Sequence, residues 1–310
     1  MSTSTIRSAK QKLPRLLINI LRAGRDFAYL TLTPFDDLSR RLNGKAEFPP
    51  LHLRRHVGPL RTFEASGAEF MCYLRLLVGM KPGERILDIG CGCGLIPLYL
   101  KEYLDEQGSY IGIDLHHPSI KWCRRRITSK APNFRFDYLD VKSLAYNPNG
   151  KLTAESLNFP YDSYSFDIVL LKSVFTHMRP TEVENYLREI ARLLNETGRC
   201  LATFFLLNEE QKRLAAEGLN TLKFNFGEER WRYVYEHSPE SACAYDENYI
   251  LGLLTKHGLR LREPIYYGRW SGRASGLSFQ DILIIERARE KLKLMSEERV
   301  DARPDAFSSC

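Results

Sequence analysis

The run Ile86-Leu87-Asp88-Ile89-Gly90-Cys91-Gly92-Cys93-Gly94 constrains this chain more than any other stretch. An apolar segment carrying one carboxylate enters three alternating glycines, and a helix-like stretch from Leu95 to Leu100 follows. The pattern reads as a strand, a turn and a helix start. Glycine tolerates unusual backbone angles and lets a ligand approach the main chain with no Cβ in the way. No Lys-Ser/Thr pair closes the loop, which excludes a phosphate-cradling P-loop. The loop is also one residue shorter than the dinucleotide fingerprint, which favours a nucleoside ligand without a pyrophosphate. A second apolar run, Tyr110-Ile111-Gly112-Ile113, ends at Asp114, 20 residues after Gly94. A carboxylate at that place suits a ribose hydroxyl pair.

Apolar runs then alternate with helical segments. Strands are expected near 85–89, 110–114, 134–138, 166–171 and 199–205, and helices near 66–78, 95–104, 118–128 and 181–194. Thr181 and Glu182 read as the start of the last helix, with a hydroxyl cap and an acid in the first turn. Repeated βα units imply a parallel sheet covered on both faces. Two insertions interrupt the alternation, near 143–163 and 208–250, and such segments beside a ligand pocket commonly select the substrate.

From Asp88 onward the chain resembles the class I S-adenosylmethionine-dependent methyltransferases, over roughly residues 66–286. Asp140-Val141 after a third extended stretch, Phe166-Asp167-Ile168-Val169-Leu170-Leu171 and Gly198-Arg199-Cys200-Leu201-Ala202-Thr203-Phe204 continue the match in order. The resemblance implies a Rossmann-like, doubly wound α/β fold: a mostly parallel seven-stranded sheet, its last strand antiparallel, with helices on both faces. It implies S-adenosylmethionine as cofactor. Asp88, Gly90, Cys91, Gly92 and Gly94 would hold the methionine end, Asp114 and Leu115 the ribose, and Asp140 and Val141 the adenine. Lys172 and Ser173, after the fourth strand, complete the expected cofactor set.

The net charge of +7 is unevenly spread. Residues 1–62 hold 12 Lys/Arg against 4 Asp/Glu, whereas the remainder is close to neutral. A neutral body argues against a nucleic-acid surface. Three units are expected: a basic helical extension and linker over 1–62, the catalytic domain over 63–287, and a charged tail over 288–310. In the extension, Leu13, Leu16, Leu17, Ile20, Leu21, Phe27 and Ala28 recur at helical spacing among Lys12, Arg15, Arg22 and Arg25. One reading packs this helix on the protein's own body with its basic face in water. The other lays residues 12–28 on an acidic membrane or a partner. Turn signals at Asn43-Gly44, Pro49-Pro50 and Gly58-Pro59 mark residues 43–60 as a linker. Neither a signal peptide nor an apolar run long enough to span a membrane is evident, so a cytoplasmic place is expected, with the inner membrane face as the alternative. Cys91 and Cys93 lack a second pair for zinc, and no metal is expected.

Methyl transfer from a sulfonium requires an acceptor held in line and water kept out. A weakly acidic hydroxyl also needs a general base. His177, in the loop after the fourth strand, is the first candidate, although a histidine there can equally brace the loop. Asp281 is the alternative base. Trp270, Arg273, Gln280 and Tyr245 are candidate acceptor contacts; a core tryptophan and a cap beside Asp246 are the structural alternatives. With Phe175-Thr176-His177-Met178 and Thr203 to Asn208, the stretch around Trp270 resembles a bacterial subgroup of small-molecule or glycan methyltransferases. The loop Leu171-Lys172-Ser173-Val174 lacks the Pro-Pro-aromatic run of nucleobase amino-methyltransferases. Paired glutamates for arginine and an Asp/Asn magnesium set for catechols are also missing. Elimination leaves the oxygen of a sugar, glycan or other small metabolite as the expected acceptor. The rivals are an N-methyltransferase for a small amine, an RNA enzyme docking through residues 1–62, and a non-catalytic cofactor-binding scaffold.

Overall fold

A computed structural model describes residues 15–144 and 146–288. Residues 12–14 of the expected basic helix and 289–310 of the expected tail lie outside the described residues. The chain opens with α1 (Arg15–Leu42), much longer than the helix expected from the apolar spacing, and continues through the short α2 (Leu51–Arg54) to α3 (Phe63–Tyr73). A π turn over Leu74–Val78 extends α3 and ends at Gly79 in the left-handed region.

The βα units follow: β1 (Arg85–Ile89), α4 (Pro97–Leu100), β2 (Ser109–Asp114), α5 (His117–Cys123) and β3 (Phe134–Tyr138). Then come β4 (Phe166–Leu171), α6 (Pro180–Leu193) and β5 (Leu194–Phe204). The helix expected over 95–104 shrinks to α4, and the one over 118–128 becomes α5 followed by a π turn over Arg124–Thr128. Thr181 does not cap α6. Glu182 does, accepting the Arg179 amide at 2.6 Å, while the Thr181 hydroxyl donates to Glu155.

The second insertion forms β6 (Leu206–Leu207), α7 (Glu209–Ala216), β7 (Phe226–Glu228), β8 (Trp231–Tyr233) and β9 (Cys243–Asp246). Its four strands make a small sheet in the order β6-β9-β8-β7. The chain returns through α8 (Glu247–Lys256), β10 (Leu259–Tyr266) and β11 (Asp281–Arg287). Asp246 caps α8 by accepting the Tyr249 amide at 3.0 Å.

The main sheet has the order β10-β11-β5-β4-β1-β2-β3, with β11 antiparallel to both neighbours. The doubly wound, mostly parallel seven-stranded α/β fold expected above is therefore present. Its inner strands are near-continuous apolar runs because both faces are covered. Leu87, Val169 and Leu171 face one apolar core, and Ile86, Ile168 and Leu170 face the other. A third, smaller core gathers Phe205, Phe224 and Trp270 beside the small sheet.

The packing of α1 departs from the first of the two readings, in which the helix lays its apolar face on the body. Its polar side faces the body: Asp36 pairs with Arg54, Asp26 with Arg55, and Arg40 donates to the Phe48 carbonyl at 2.6 Å. Thr33 Oγ1 lies 3.2 Å from His52 Nδ1 on the same side. The apolar residues Ile20, Phe27, Phe35, Leu38 and Leu42 face solvent.

Candidate active site

The carboxyl ends of β1, β2 and β4 open into one cavity of about 1100 Å³. Pockets for a single drug-sized ligand span ~300–1,000 Å³, and this one lies just above that range. It lies where β1 and β4 are neighbours and the strand order reverses, the usual ligand position in open α/β sheets.

Of the expected cofactor residues, Asp88, Gly90, Cys91, Gly92, Asp114, Leu115, Val141, Lys172 and Ser173 all lie on the cavity wall. Asp88 is buried and accepts the Tyr110 hydroxyl at 2.6 Å. Burial, reinforced by the Asp114 charge, pushes its carboxyl up to about 7 against the pull of Tyr110 and Lys172. Asp114 ends β2 and accepts two amides, Gly92 at 2.8 Å and His116 at 2.7 Å. Each oxygen keeps a lone pair for a ligand hydroxyl. Burial raises this carboxyl too, with the backbone amides opposing.

Gly90 and Gly92 adopt φ of 79° and 56°, the left-handed region in which glycine is favoured. A Cβ at Gly90 would lie 2.5 Å from Val174, and one at Gly92 2.8 Å from Val57. Side chains at either position would collide with these valines, so the loop keeps a bare backbone. Burial holds the Cys91 thiol far above its ordinary pKa, so it packs rather than reacts.

Two expected cofactor residues lie off the wall. Gly94 faces the packing side, where a Cβ would meet Ile127 at 2.8 Å and Cys123 at 3.0 Å. Asp140 instead holds its own loop: it accepts the Tyr138 hydroxyl at 2.9 Å and the Asn147 amide at 3.1 Å. Its neighbour Val141 reaches the wall in its place.

The loop after β4 forms the other half of the cavity. The Lys172 ammonium lies 5.0 Å from the centre of the Phe70 ring; burial lowers its pKa while Asp88 and Glu69 pull the other way. Ser173 has φ 58°, uncommon for a residue with a side chain and worth about 1–3 kcal/mol of strain. Two bonds hold it there. Its amide donates to Thr203 Oγ1 at 2.7 Å, and its hydroxyl donates to Gln280 Oε1 at 2.9 Å. Gln280 therefore stands on the wall beside Ser173.

His177 also lies on the wall, its Nδ1 2.9 Å from the Glu240 carbonyl oxygen. A carbonyl can only accept, so Nδ1 carries the hydrogen and Nε2 carries the lone pair of the neutral ring. Burial lowers the His177 pKa, and the Glu240 and Ser241 carbonyls offset part of that shift. Both insertions meet here: the Leu144 amide donates to Glu240 Oε2 at 3.2 Å.

The remaining candidates are placed elsewhere. Asp281 is buried away from the cavity and accepts Gly268 N–H at 2.6 Å, Leu206 N–H at 2.7 Å and Trp270 Nε1–H at 2.9 Å. A carboxylate so engaged anchors three segments and has no path to an acceptor. Trp270 is fully buried in the third core. Arg273 stacks on Tyr267 at 4.1 Å and donates to Asn208 Oδ1 at 3.2 Å, outside the cavity lining. Tyr245 is fully buried and donates its hydroxyl to the Phe175 and Met178 carbonyls, bracing the loop that carries His177.

Sequence reading missed one wall altogether. Arg55 to Pro59, read as linker, line the cavity, and the His56 ring sits 4.6 Å from that of His116. Turn residues flanking an otherwise unremarkable His-Val pair gave no sign of this; the close approach of Val57 to Gly92 is visible only in the fold.

Residues 87–202 match the family model described as a methyltransferase domain. The chain is 31% identical over 120 residues to a ubiquinone/menaquinone biosynthesis C-methyltransferase of Xanthomonas oryzae pv. oryzae, covering 39% of this chain and 42% of that protein. It is also 31% identical over 121 residues to phthiotriol/phenolphthiotriol dimycocerosates methyltransferase 1 of Mycobacterium ulcerans, covering 39% and 37%. The chain thus spans about two-fifths of the length of these curated relatives. Among solved structures, a Burkholderia thailandensis 1,6-didemethyltoxoflavin-N1-methyltransferase aligns at a TM-score of 0.48 and 16% identity, covering 85% of this chain and 90% of that one. The strand order and the glycine loop between two strand-end carboxylates accompany the methyltransferase-domain match over residues 87–202.

Proposed function

We propose that the protein methylates a hydroxyl oxygen of a small acceptor, a sugar, glycan or other small metabolite, with His177 as general base. The observation that carries this reading is the His177–Glu240 contact, which fixes the ring tautomer so that Nε2 bears the lone pair. S-adenosylmethionine, when bound, supplies a methyl group made electrophilic by its sulfonium. The residues present fit it: Asp88, the bare backbone at Gly90 and Gly92, and Asp114 with a lone pair free on each oxygen. The chain's own part is to hold the acceptor in the half of the cavity beside Ser173 and Gln280, exclude water, and accept the hydroxyl proton at His177. A lowered pKa keeps this imidazole neutral, and so able to act, below the usual 6.5. The relatives' names, a ubiquinone/menaquinone biosynthesis C-methyltransferase and a phthiotriol/phenolphthiotriol dimycocerosates methyltransferase, support a small-molecule acceptor, and the choice of oxygen rests on His177 rather than on those names.

Labelled-methyl transfer to a panel of hydroxylated and amine acceptors tests the reading. His177→Ala is expected to lower kcat about 10²–10⁴-fold on the hydroxyl acceptor while cofactor affinity holds. The wild-type rate should fall on acidification only below about pH 6.5. Turnover confined to amines, with His177→Ala as active as wild type, would overturn the assignment in favour of N-methylation.

A further inference from the structure

Helix α1 carries a surface that neither the cofactor nor the acceptor uses. At 3.6 residues per turn, Ile20, Phe27, Phe35, Leu38 and Leu42 fall within a sector of about 80°, with the exposed Leu30 and Leu32 about 60° beyond its two edges. The residues within the sector are between 59% and 78% exposed. The opposite sector holds Asp26, Thr33, Asp36 and Arg40, the residues that bond to the body. An amphipathic helix ordinarily buries its apolar stripe. Here the body grips the polar stripe through ion pairs and holds the apolar one outward.

The charge around that stripe says what covers it. Residues 15–62 contain nine Lys/Arg and four Asp/Glu. All three acids of α1 are engaged with arginines: Asp26 with Arg25 and Arg55, Asp36 with Arg40 and Arg54, and Asp37 with Arg40. Arg41 is exposed on one flank of the stripe and Arg25 on the other. A face of phenylalanine and leucine bordered by a cationic surplus matches the apolar–anionic boundary of a lipid surface. A second copy would set the same cationic surplus against itself, and Gly24 and Thr31 leave gaps where a helix–helix seam needs side chains that interlock.

We infer that α1 docks its outward apolar face on an anionic membrane surface. The dock adjoins the cavity, since Arg55 pairs with Asp26 of α1 and also lines the cavity wall.

Co-sedimentation of the full chain with vesicles of phosphatidylglycerol and phosphatidylcholine, and with phosphatidylcholine alone, is the test. Wild type is expected to pellet with the anionic vesicles and to release as salt rises. Phe27→Ser/Phe35→Ser/Leu42→Ser should weaken that binding at least ~10-fold, with cofactor affinity by calorimetry unchanged as proof of folding. Arg25→Glu/Arg41→Glu should weaken binding to anionic vesicles only. Wild type that stays in the supernatant would overturn the inference. So would a concentration-dependent dimer in sedimentation analysis that the serine variant abolishes, which would assign the face to a second copy.

Discussion

Asp114 Oδ2 takes the amide hydrogen of Gly92 at 2.8 Å, so the carboxylate that ends β2 also fixes the glycine loop that follows β1. One side chain thereby does two things: it shapes the loop and keeps lone pairs for a ligand hydroxyl.

Asp114→Ala is therefore expected to weaken S-adenosylmethionine and S-adenosylhomocysteine binding by about 10–100-fold, the effect of losing hydrogen bonds to a charged group. Calorimetric titration of both ligands measures it. Asp114→Asn, which can still accept the Gly92 amide, should bind more tightly than Asp114→Ala.

Gly90→Ala should destabilise the fold by about 1–3 kcal/mol, because φ of 79° disfavours a side chain and the new Cβ would lie 2.5 Å from Val174. Urea unfolding of variant and wild type gives the difference. Gly90→Ala with Val174→Ala should recover the steric part and leave the backbone part.

Asp281→Ala should cost about 3 kcal/mol or more, since it leaves the Gly268 and Leu206 amides and the Trp270 indole buried without an acceptor. The folded fraction should still bind the cofactor normally. A base would give the opposite result, a stable protein that does not turn over.

His56 supplies an acid-sensitive element. Burial, then the neighbouring His116 and Arg55, lower its pKa to about 4, with Asp26 opposing. Between pH 4 and 6.5 the unfolded chain binds more protons at this group than the folded one, so its contribution to stability rises with pH and is complete above 6.5. The stability of wild type minus that of His56→Gln should climb across this window and then stay level, as read from urea midpoints.

Much of the fold is legible in the sequence because parallel strands buried on both faces are unbroken apolar runs. The bounds of β1, β3 and β4 coincide with the expected 85–89, 134–138 and 166–171. Most of the expected cofactor residues reach the cavity because strand ends face the switch point, whereas Gly94 turns to packing and Asp140 to bonds within its own loop. The acceptor half is less legible. Asp281, Trp270 and Tyr245 have the chemistry of ligand contacts, yet each serves buried backbone or core, and residue type does not distinguish a polar group serving a ligand from one serving an amide. The Arg55–Pro59 wall is set by contacts between distant segments, which local spacing does not encode.

The grip on α1 has a consequence for molecular shape. A helix held by apolar contact is loosened by urea, whereas one held through Arg54–Asp36 and Arg55–Asp26 is loosened by salt. Those arginine side chains are mostly buried, so screening acts late, near the ~1 M salt at which the Debye length is only ~3 Å. If both pairs yield there, the 28-residue helix is expected to part from the body, and the hydrodynamic radius measured across a salt series should rise while the circular dichroism of the sheet stays constant.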